Sequence, residues 1–331
     1  MKDWLERVWY RSEPPPLTLQ MLAAVYGCIA DARTRRQRAR AQSLPVPVIV
    51  VGNIAVGGTG KTPCVLWLVQ CLRELGYTPG VISRGYGGKG PFPFRVRSTD
   101  AAAVCGDEPL LLVQRTAVPL AVAPDRLAAA RLLLTGQPQV DVLICDDGLQ
   151  HYRLARDMEL CVIDGVRSHG NGWRLPAGPL REAPARTQRV SLVLVNGADA
   201  APYGDNALRF DLHLQDAVNL SSGEQCPLSE FAAAPAYAMA GIGYPQRFFN
   251  ALRNEGLNIQ TQAFADHHVF TAADFPGIGG VPVLMTEKDA VKCRPFVASN
   301  LWAVPVSLHF EAAAEMRMRQ YLQRVLAAAR A

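Results

Sequence analysis

The chain has 331 residues, 49% hydrophobic and 19% charged, enough apolar side chain to bury one large core or two modest ones. That balance excludes a disordered chain, and a formal net charge of +5 is too small to signal a nucleic-acid partner by itself. Eight cysteines are scattered without a C-x-x-C pair, several inside apolar runs such as Val142-Leu143-Ile144-Cys145. They read as small core residues in a reducing compartment, not as a disulfide or zinc framework.

The opening Met1-Lys2-Asp3-Trp4 mixes charges through its first turn and is not expected to be a cleavable signal. Residues 17–30 are mostly apolar, but as a helix they span about 21 Å, short of a hydrocarbon core of roughly 30 Å. Arg33, Arg35, Arg36, Arg38 and Arg40 follow at once. An apolar helix running into arginines suits a helix lying in the membrane interface, its basic end on anionic headgroups. A helix packed on the body of the protein, with a solvated basic face, fits the same residues.

From residue 46 short β-rich runs alternate with helical ones. The pattern predicts strands at 46–51, 80–83, 119–122, 140–145, 159–163 and 190–195. Helices are predicted at 62–75, 107–114 and 125–134, with Asp125 as N-cap and Gly136 as stop. Strands without polar alternation, separated by helices, indicate a parallel sheet covered on both faces. Residues 208–214 alternate apolar and polar, as an edge or linker strand would. Strands at 236–239, 259–264 and 282–285, with a helix at 246–254, begin another set. The expected organisation is an N-terminal segment (1–42), a parallel-sheet domain (43–215) and a smaller C-terminal α/β domain (216–331).

Between the first strand and the first helix of the sheet lies Ala55-Val56-Gly57-Gly58-Thr59-Gly60-Lys61-Thr62, the order that a P-loop needs. Glycines let backbone N–H groups turn inward around a phosphate, Lys61 reaches the β/γ oxygens, and the Thr62 hydroxyl can ligate Mg²⁺. Ala55 stands where the usual first glycine would be. Asp146 and Asp147, at the C-terminal end of a buried strand, supply the carboxylate that a hydrated Mg²⁺ requires. Thr286-Glu287-Lys288-Asp289 is no guanine-reading N-K-x-D element, so ATP is the expected nucleotide.

Four further stretches complete a pattern: Ser83-Arg84-Gly85-Tyr86-Gly87-Gly88, Gly106-Asp107-Glu108-Pro109, Asp146-Asp147-Gly148-Leu149-Gln150-His151 and Leu175-Pro176-Ala177-Gly178-Pro179-Leu180-Arg181-Glu182. With the P-loop before them and Asp266-His267 and Thr286-Glu287-Lys288-Asp289 after, the chain resembles the tetraacyldisaccharide 4′-kinases from its N-terminal helix to about residue 293. The resemblance implies a P-loop NTPase-type parallel-sheet domain, a second smaller α/β domain and an N-terminal membrane-interface helix. It implies an enzyme on the cytoplasmic face of the bacterial inner membrane, peripheral or monotopic on its anionic leaflet. That enzyme would transfer the γ-phosphate of ATP to the 4′-hydroxyl of a tetraacylated glucosamine disaccharide 1-phosphate, giving lipid IVA. No nucleic acid and no obligate protein partner are expected.

The resemblance also implies residue roles. Asp107 matches the group that deprotonates the sugar hydroxyl, His267 its partner from the second domain, and Glu108 and Asp146 groups around the metal. Of the neighbours His267 and His268, only one is expected to face the nucleotide, and His267 is favoured by its place after Asp266. Arg84, Tyr86, His151, Asn171 and Arg181 are candidates for gripping the sugar and its 1-phosphate. A structural role is open to each of them. Two rivals share the P-loop: a switch or partitioning ATPase, and a kinase or ligase for a soluble metabolite.

Overall fold

The computed structural model describes residues 2–275, 280–294, 296 and 298–330. Two helices come first, α1 (Lys2–Trp9) and α2 (Leu17–Arg38). Next come β1 (Val48–Gly52), α3 (Lys61–Glu74), β2 (Pro79–Ser83), β3 (Phe94–Val96), α4 (Ala102–Cys105), α5 (Asp107–Thr116) and β4 (Leu120–Val122). The set continues with α6 (Arg126–Gly136), β5 (Val142–Asp146), β6 (Met158–Asp164), β7 (Leu192–Asn196) and β8 (Ala207–Leu214). A second set holds β9 (Ala217–Asn219), β10 (Gln225–Cys226), β11 (Ala236–Ala240), α7 (Pro245–Asn254), β12 (Ile259–Ala263), β13 (Val283–Thr286), α8 (Glu287–Cys293) and β14 (Leu301–Val304). Then follow β15 (Val306–Phe310) and α9 (Ala312–Arg330).

The large sheet has nine strands in the order β15-β8-β7-β6-β1-β5-β2-β4-β3, parallel from β8 to β4 with an antiparallel strand on each edge. Every residue of β1 is buried because the pleat splits its side chains between two cores. Ile49 and Val51 point to the face covered by α3, α5 and α9, whereas Val48 and Val50 point to the face covered by α6. Asp125 caps α6 as its sequence predicts, accepting a hydrogen bond from Leu127 N at 3.2 Å. The smaller sheet runs β10-β9-β14-β13-β11-β12, with β14, β13, β11 and β12 parallel.

The expected domain limits need one correction. Strand β15 pairs along β8, and Met318, Leu322 and Leu326 of α9 are buried in the large core. Residues from Val306 onward therefore return to the first unit, and the smaller unit ends near Pro305. The chain crosses between units twice at this point, side by side, with Gln215 N donating to Pro305 O at 2.9 Å. Strand β8 is accordingly not an edge: β15 covers it.

Helix α2 is longer than the apolar run suggested and carries Arg33, Arg35, Arg36 and Arg38 on its last turns. One face packs on the body, where Ala23 and Gly27 are buried and Arg174 Nη1 donates to Gly27 O at 3.1 Å. A Cβ at Gly27 would lie 2.9 Å from that guanidinium nitrogen, so the close approach favours glycine. The other face leaves Leu17, Met21, Val25 and Ile29 more than half exposed. These four recur every fourth residue, a continuous apolar stripe. Among the described residues, no helix is long and apolar enough to cross a membrane.

Candidate active site

The phosphate loop leaves β1 and enters α3. Gly57 (φ 113°) and Gly60 (φ 100°) adopt conformations that side chains strain, which explains the glycines at those places. Buried Asn53 supports the loop from beneath, Nδ2 donating to Gly57 O (3.3 Å) and Thr59 Oγ1 (3.4 Å). Asn196, at the end of β7, donates to Thr59 O at 3.2 Å. Lys61 and Thr62 open α3, so the loop ends on a helix N-terminus whose free amides attract anions.

Both acids at the end of β5 come to this loop, but in different states. Asp146 is buried; its Oδ2 accepts from Ser83 Oγ at 3.1 Å and its Oδ1 has no partner. Burial, then the charges of Glu108 and Asp147, push its carboxyl up to about 7. Burial acts on Asp147 as well, but Lys61, Arg181 and Arg126 outweigh it and hold that carboxyl at about 2. Lys61 Nζ lies 3.6 Å from one Asp147 oxygen and Arg181 Nη1 3.5 Å from the other.

Asp107 is the first residue of α5, only 5% exposed. His267, in the turn after β12, brings Nδ1 to 3.0 Å from Asp107 Oδ2. Burial disfavours the Asp107 charge, yet the hydrogen bond from His267 and the nearby Lys288 lower its pKa overall. The same bond raises the pKa of His267 against its own burial. Neighbouring His268 turns away, with Nε2 3.1 Å from Asp274 Oδ2 and its ring stacked on Phe264. The two rings diverge because His267 takes a left-handed backbone (φ 61°). Tyr86 packs on the His267 ring with centroids 4.8 Å apart.

A cleft of about 750 Å³ between the units joins these groups. Residues 56–62 of the loop, Glu108, Asp147 and His267 line its polar end, together with Arg84, Tyr86 and Arg181. Leu66, Leu212, Val304, Val306 and Phe248 also line it and supply apolar surface on which a flat base can pack. Asp146 lies beneath this surface, and Ala55 bridges Leu180 instead of lining the cleft.

Asp107 is also outside the lining and meets the cleft through His267, and two of the substrate candidates do not reach it. His151 faces Asp125 at 3.4 Å, and burial, then Arg126, depress its pKa to about 4. Asn171 holds a turn, donating from Nδ2 to Val8 O (3.2 Å) and Ala177 O (2.9 Å). Sequence alone assigns Lys288 no role, yet its Nζ bridges Glu108 Oε1 (3.0 Å) and Asp266 Oδ1 (3.2 Å) across the cleft. Burial resists its charge, but Glu108, Asp107 and Asp266 raise its pKa. Its position inside Thr286-Glu287-Lys288-Asp289 was the available signal.

The chain is similar to known proteins both in sequence and in overall structure. The sequence model of the family described as "Tetraacyldisaccharide-1-P 4'-kinase" matches residues 16–325. The tetraacyldisaccharide 4′-kinase of Pseudomonas putida (strain GB-1) is 48% identical over 98% of both chains. That of Pseudomonas aeruginosa (strain LESB58) is 49% identical over 90% of both. Among solved structures, the "apo" form of LpxK from Aquifex aeolicus, in complex with ATP, aligns with TM-score 0.77 and 26% identity. The match covers 92% of this chain and 97% of that one.

Proposed function

The chain belongs to the tetraacyldisaccharide-1-P 4′-kinase family, and from that membership we propose how its residues divide the work of phosphate transfer. It is an ATP-dependent kinase of lipid A biosynthesis. Its acceptor is the 4′-hydroxyl of a tetraacylated glucosamine disaccharide 1-phosphate, and its product lipid IVA.

The observation that carries the reading is the 3.0 Å contact between Asp107 and His267, made by two different units at the cleft that the phosphate loop also lines. The ATP phosphates rest on the amides of residues 57–60 and on Lys61, with the base against the apolar side chains; the Val56 amide is already bonded to Pro179 O at 2.9 Å. Asp107 accepts the proton of the sugar hydroxyl as the phosphoryl group arrives. A carboxylate is a weak base for an alcohol, so most of its effect lies in orientation and in late proton acceptance. His267 holds that carboxylate in one geometry. Arg84, Tyr86 and Arg181 grip the sugar and its 1-phosphate; Asn171 holds the turn at Ala177 that leads to Arg181, and His151 stays paired with Asp125.

Magnesium belongs to the same proposal, and one buried carboxylate oxygen supports it. The unpartnered Asp146 Oδ1 lies beside Asp147 and within the field of Glu108, charge that a divalent cation relieves, although among the described residues no three acids or histidines stand together as a preformed metal site. Thr62, Glu108, Asp146 and Asp147 would hold it, and when bound it neutralises charge on the phosphates.

The apolar stripe of α2, with Trp4 also exposed, fits a face lying on the cytoplasmic leaflet of the inner membrane. That association is peripheral or monotopic, with no nucleic acid or obligate protein partner. The test supplies ATP and a detergent-dispersed disaccharide 1-phosphate to the purified protein and to Asp107→Asn. A bis-phosphorylated product from the parent alone is expected. ATP hydrolysis at the same rate without acceptor would point instead to a switch ATPase.

A further inference from the structure

A second hollow, of about 730 Å³, opens where the end of α2 meets the loop between β5 and β6. Four guanidiniums line it: Arg33, Arg36 and Arg40 from the N-terminal segment and Arg153 from the loop. The spacing of 33, 36 and 40 puts all three on one side of the helical path. None of the three makes an ion pair with a carboxylate among the described residues. Asp31 pairs with Arg174 at 3.0 Å, outside the hollow, whereas Asp125 pairs with the hollow's own Arg153 at 3.3 Å and offsets part of the charge there.

The backbone builds this hollow. Gln42 N donates to Arg153 O at 2.8 Å, and Ala155 N donates back to Gln42 O at 3.0 Å. Tyr152 N donates to Gln37 Oε1 at 3.1 Å. These bonds splice the loop to the helix end and hold Arg153 opposite the three arginines of the N-terminal segment. Like charges so placed repel one another, and an anion between them removes that repulsion while accepting forked, charge-assisted hydrogen bonds. The apolar stripe ends at Ile29, one turn before Arg33, so a bilayer receiving the stripe sets its phosphate layer beside the hollow.

We propose that this hollow binds the phosphoryl group of an anionic membrane phospholipid, at a site separate from the catalytic cleft. The inference rests on the membrane-facing reading of α2, to which it adds a discrete, saturable site.

The test titrates the full chain with dihexanoyl phosphatidylglycerol below its micelle-forming concentration, and separately with inorganic phosphate. Co-sedimentation then compares phosphatidylcholine vesicles containing phosphatidylglycerol with vesicles brought to the same surface charge by oleate. Arg153→Gln is set against Arg97→Gln, an equal loss of charge at another exposed position. One-to-one saturation by the short-chain lipid is expected, weakened about tenfold by Arg153→Gln and less than about twofold by Arg97→Gln. Phosphatidylglycerol vesicles should also bind more tightly than oleate vesicles. Equal losses from the two variants, or equal binding of the two vesicle types, would overturn the site while leaving docking through the apolar stripe intact. Inorganic phosphate bound as tightly as the short-chain lipid would overturn the lipid assignment. A higher KM for detergent-dispersed disaccharide in Arg153→Gln, with no phospholipid present, would overturn it too, by giving the hollow to the substrate.

Discussion

Asp107 Oδ2 and His267 Nδ1 lie 3.0 Å apart, joining the first turn of α5 to the turn after β12 across the cleft between the two units. Neither unit holds the pair alone. Any motion of the smaller unit on the paired crossing at Gln215 and Pro305 therefore makes or breaks it. Closure of this kind lets the catalytic groups assemble only when the cleft is filled and water is excluded.

Replacing the carboxylate is expected to act on the chemical step. Asp107→Asn should lower kcat by about 10²- to 10⁴-fold while leaving both KM values within a few-fold. Steady-state kinetics against ATP and acceptor check this. A variant with normal kcat and weak ATP binding would move Asp107 into the binding shell.

The pair should leave a signature in stability against pH. The hydrogen bond to Asp107 raises the pKa of His267 above its ordinary 6.5, so its stabilisation is full below pH 6.5 and lost as pH rises through the raised value. For Asp107, burial is outweighed by His267 and Lys288, and the pKa falls below the ordinary 3.8. Its stabilisation is present above pH 3.8 and lost as pH falls through the lowered value. The difference in Tm between parent and His267→Gln should therefore peak between about pH 4 and 6.5 and shrink as pH rises above that window. His268→Gln should leave phosphate transfer nearly unchanged. A Tm difference that stays flat with pH would mean that His267 gains no proton from the contact.

Asp146 presents a conflict between stability and function. Its carboxyl is pushed up to about 7, first by burial, so above that pH its charge works against the fold. Asp146→Asn should raise Tm at about pH 8 in metal-free buffer, by a few degrees, while cutting transfer by more than about 10²-fold. A lower Tm in the variant would show that the charge is already compensated without metal.

Lys288 neutralises Glu108 from one unit and Asp266 from the other. Lys288→Met should leave two carboxylates facing each other and favour an open cleft. Faster hydrogen exchange in residues 264–270, with transfer reduced about tenfold or more, is the expected result. Unchanged exchange would mean that the bridge does not hold the units together.

The apolar stripe should dominate membrane binding. Met21→Asp with Val25→Asp removes two exposed apolar side chains and adds charge among anionic headgroups. Vesicle co-sedimentation should fall more than tenfold, as roughly 1.5–3 kcal/mol accompanies burial of each such side chain. Transfer to a detergent-dispersed acceptor should persist. Undiminished vesicle binding would place the membrane contact elsewhere.

By itself the sequence determined whatever depends on neighbours along the chain. Gly57, Gly60 and Lys61 read as a phosphate loop because backbone conformation and helix start are local properties. The apolar runs of β1 and β5 read as strands buried on both faces, and Asp125 as a cap, for the same reason. Tertiary structure decided what depends on which surfaces meet. The pattern of residues 306–330 can show a half-buried strand and an amphipathic helix, but not which sheet they join; the pairing of β15 with β8 returns them to the large unit. Adjacent histidines offer the same chemistry, and only the left-handed turn at His267 and the pull of Asp274 on His268 send one ring into the cleft and the other away. Family resemblance put Asp107 beside His267, and His151 and Asn171 among the substrate candidates, but only packing shows which side chains line the cleft. That is set by contacts between residues far apart in the chain, whose side chains no local pattern orients.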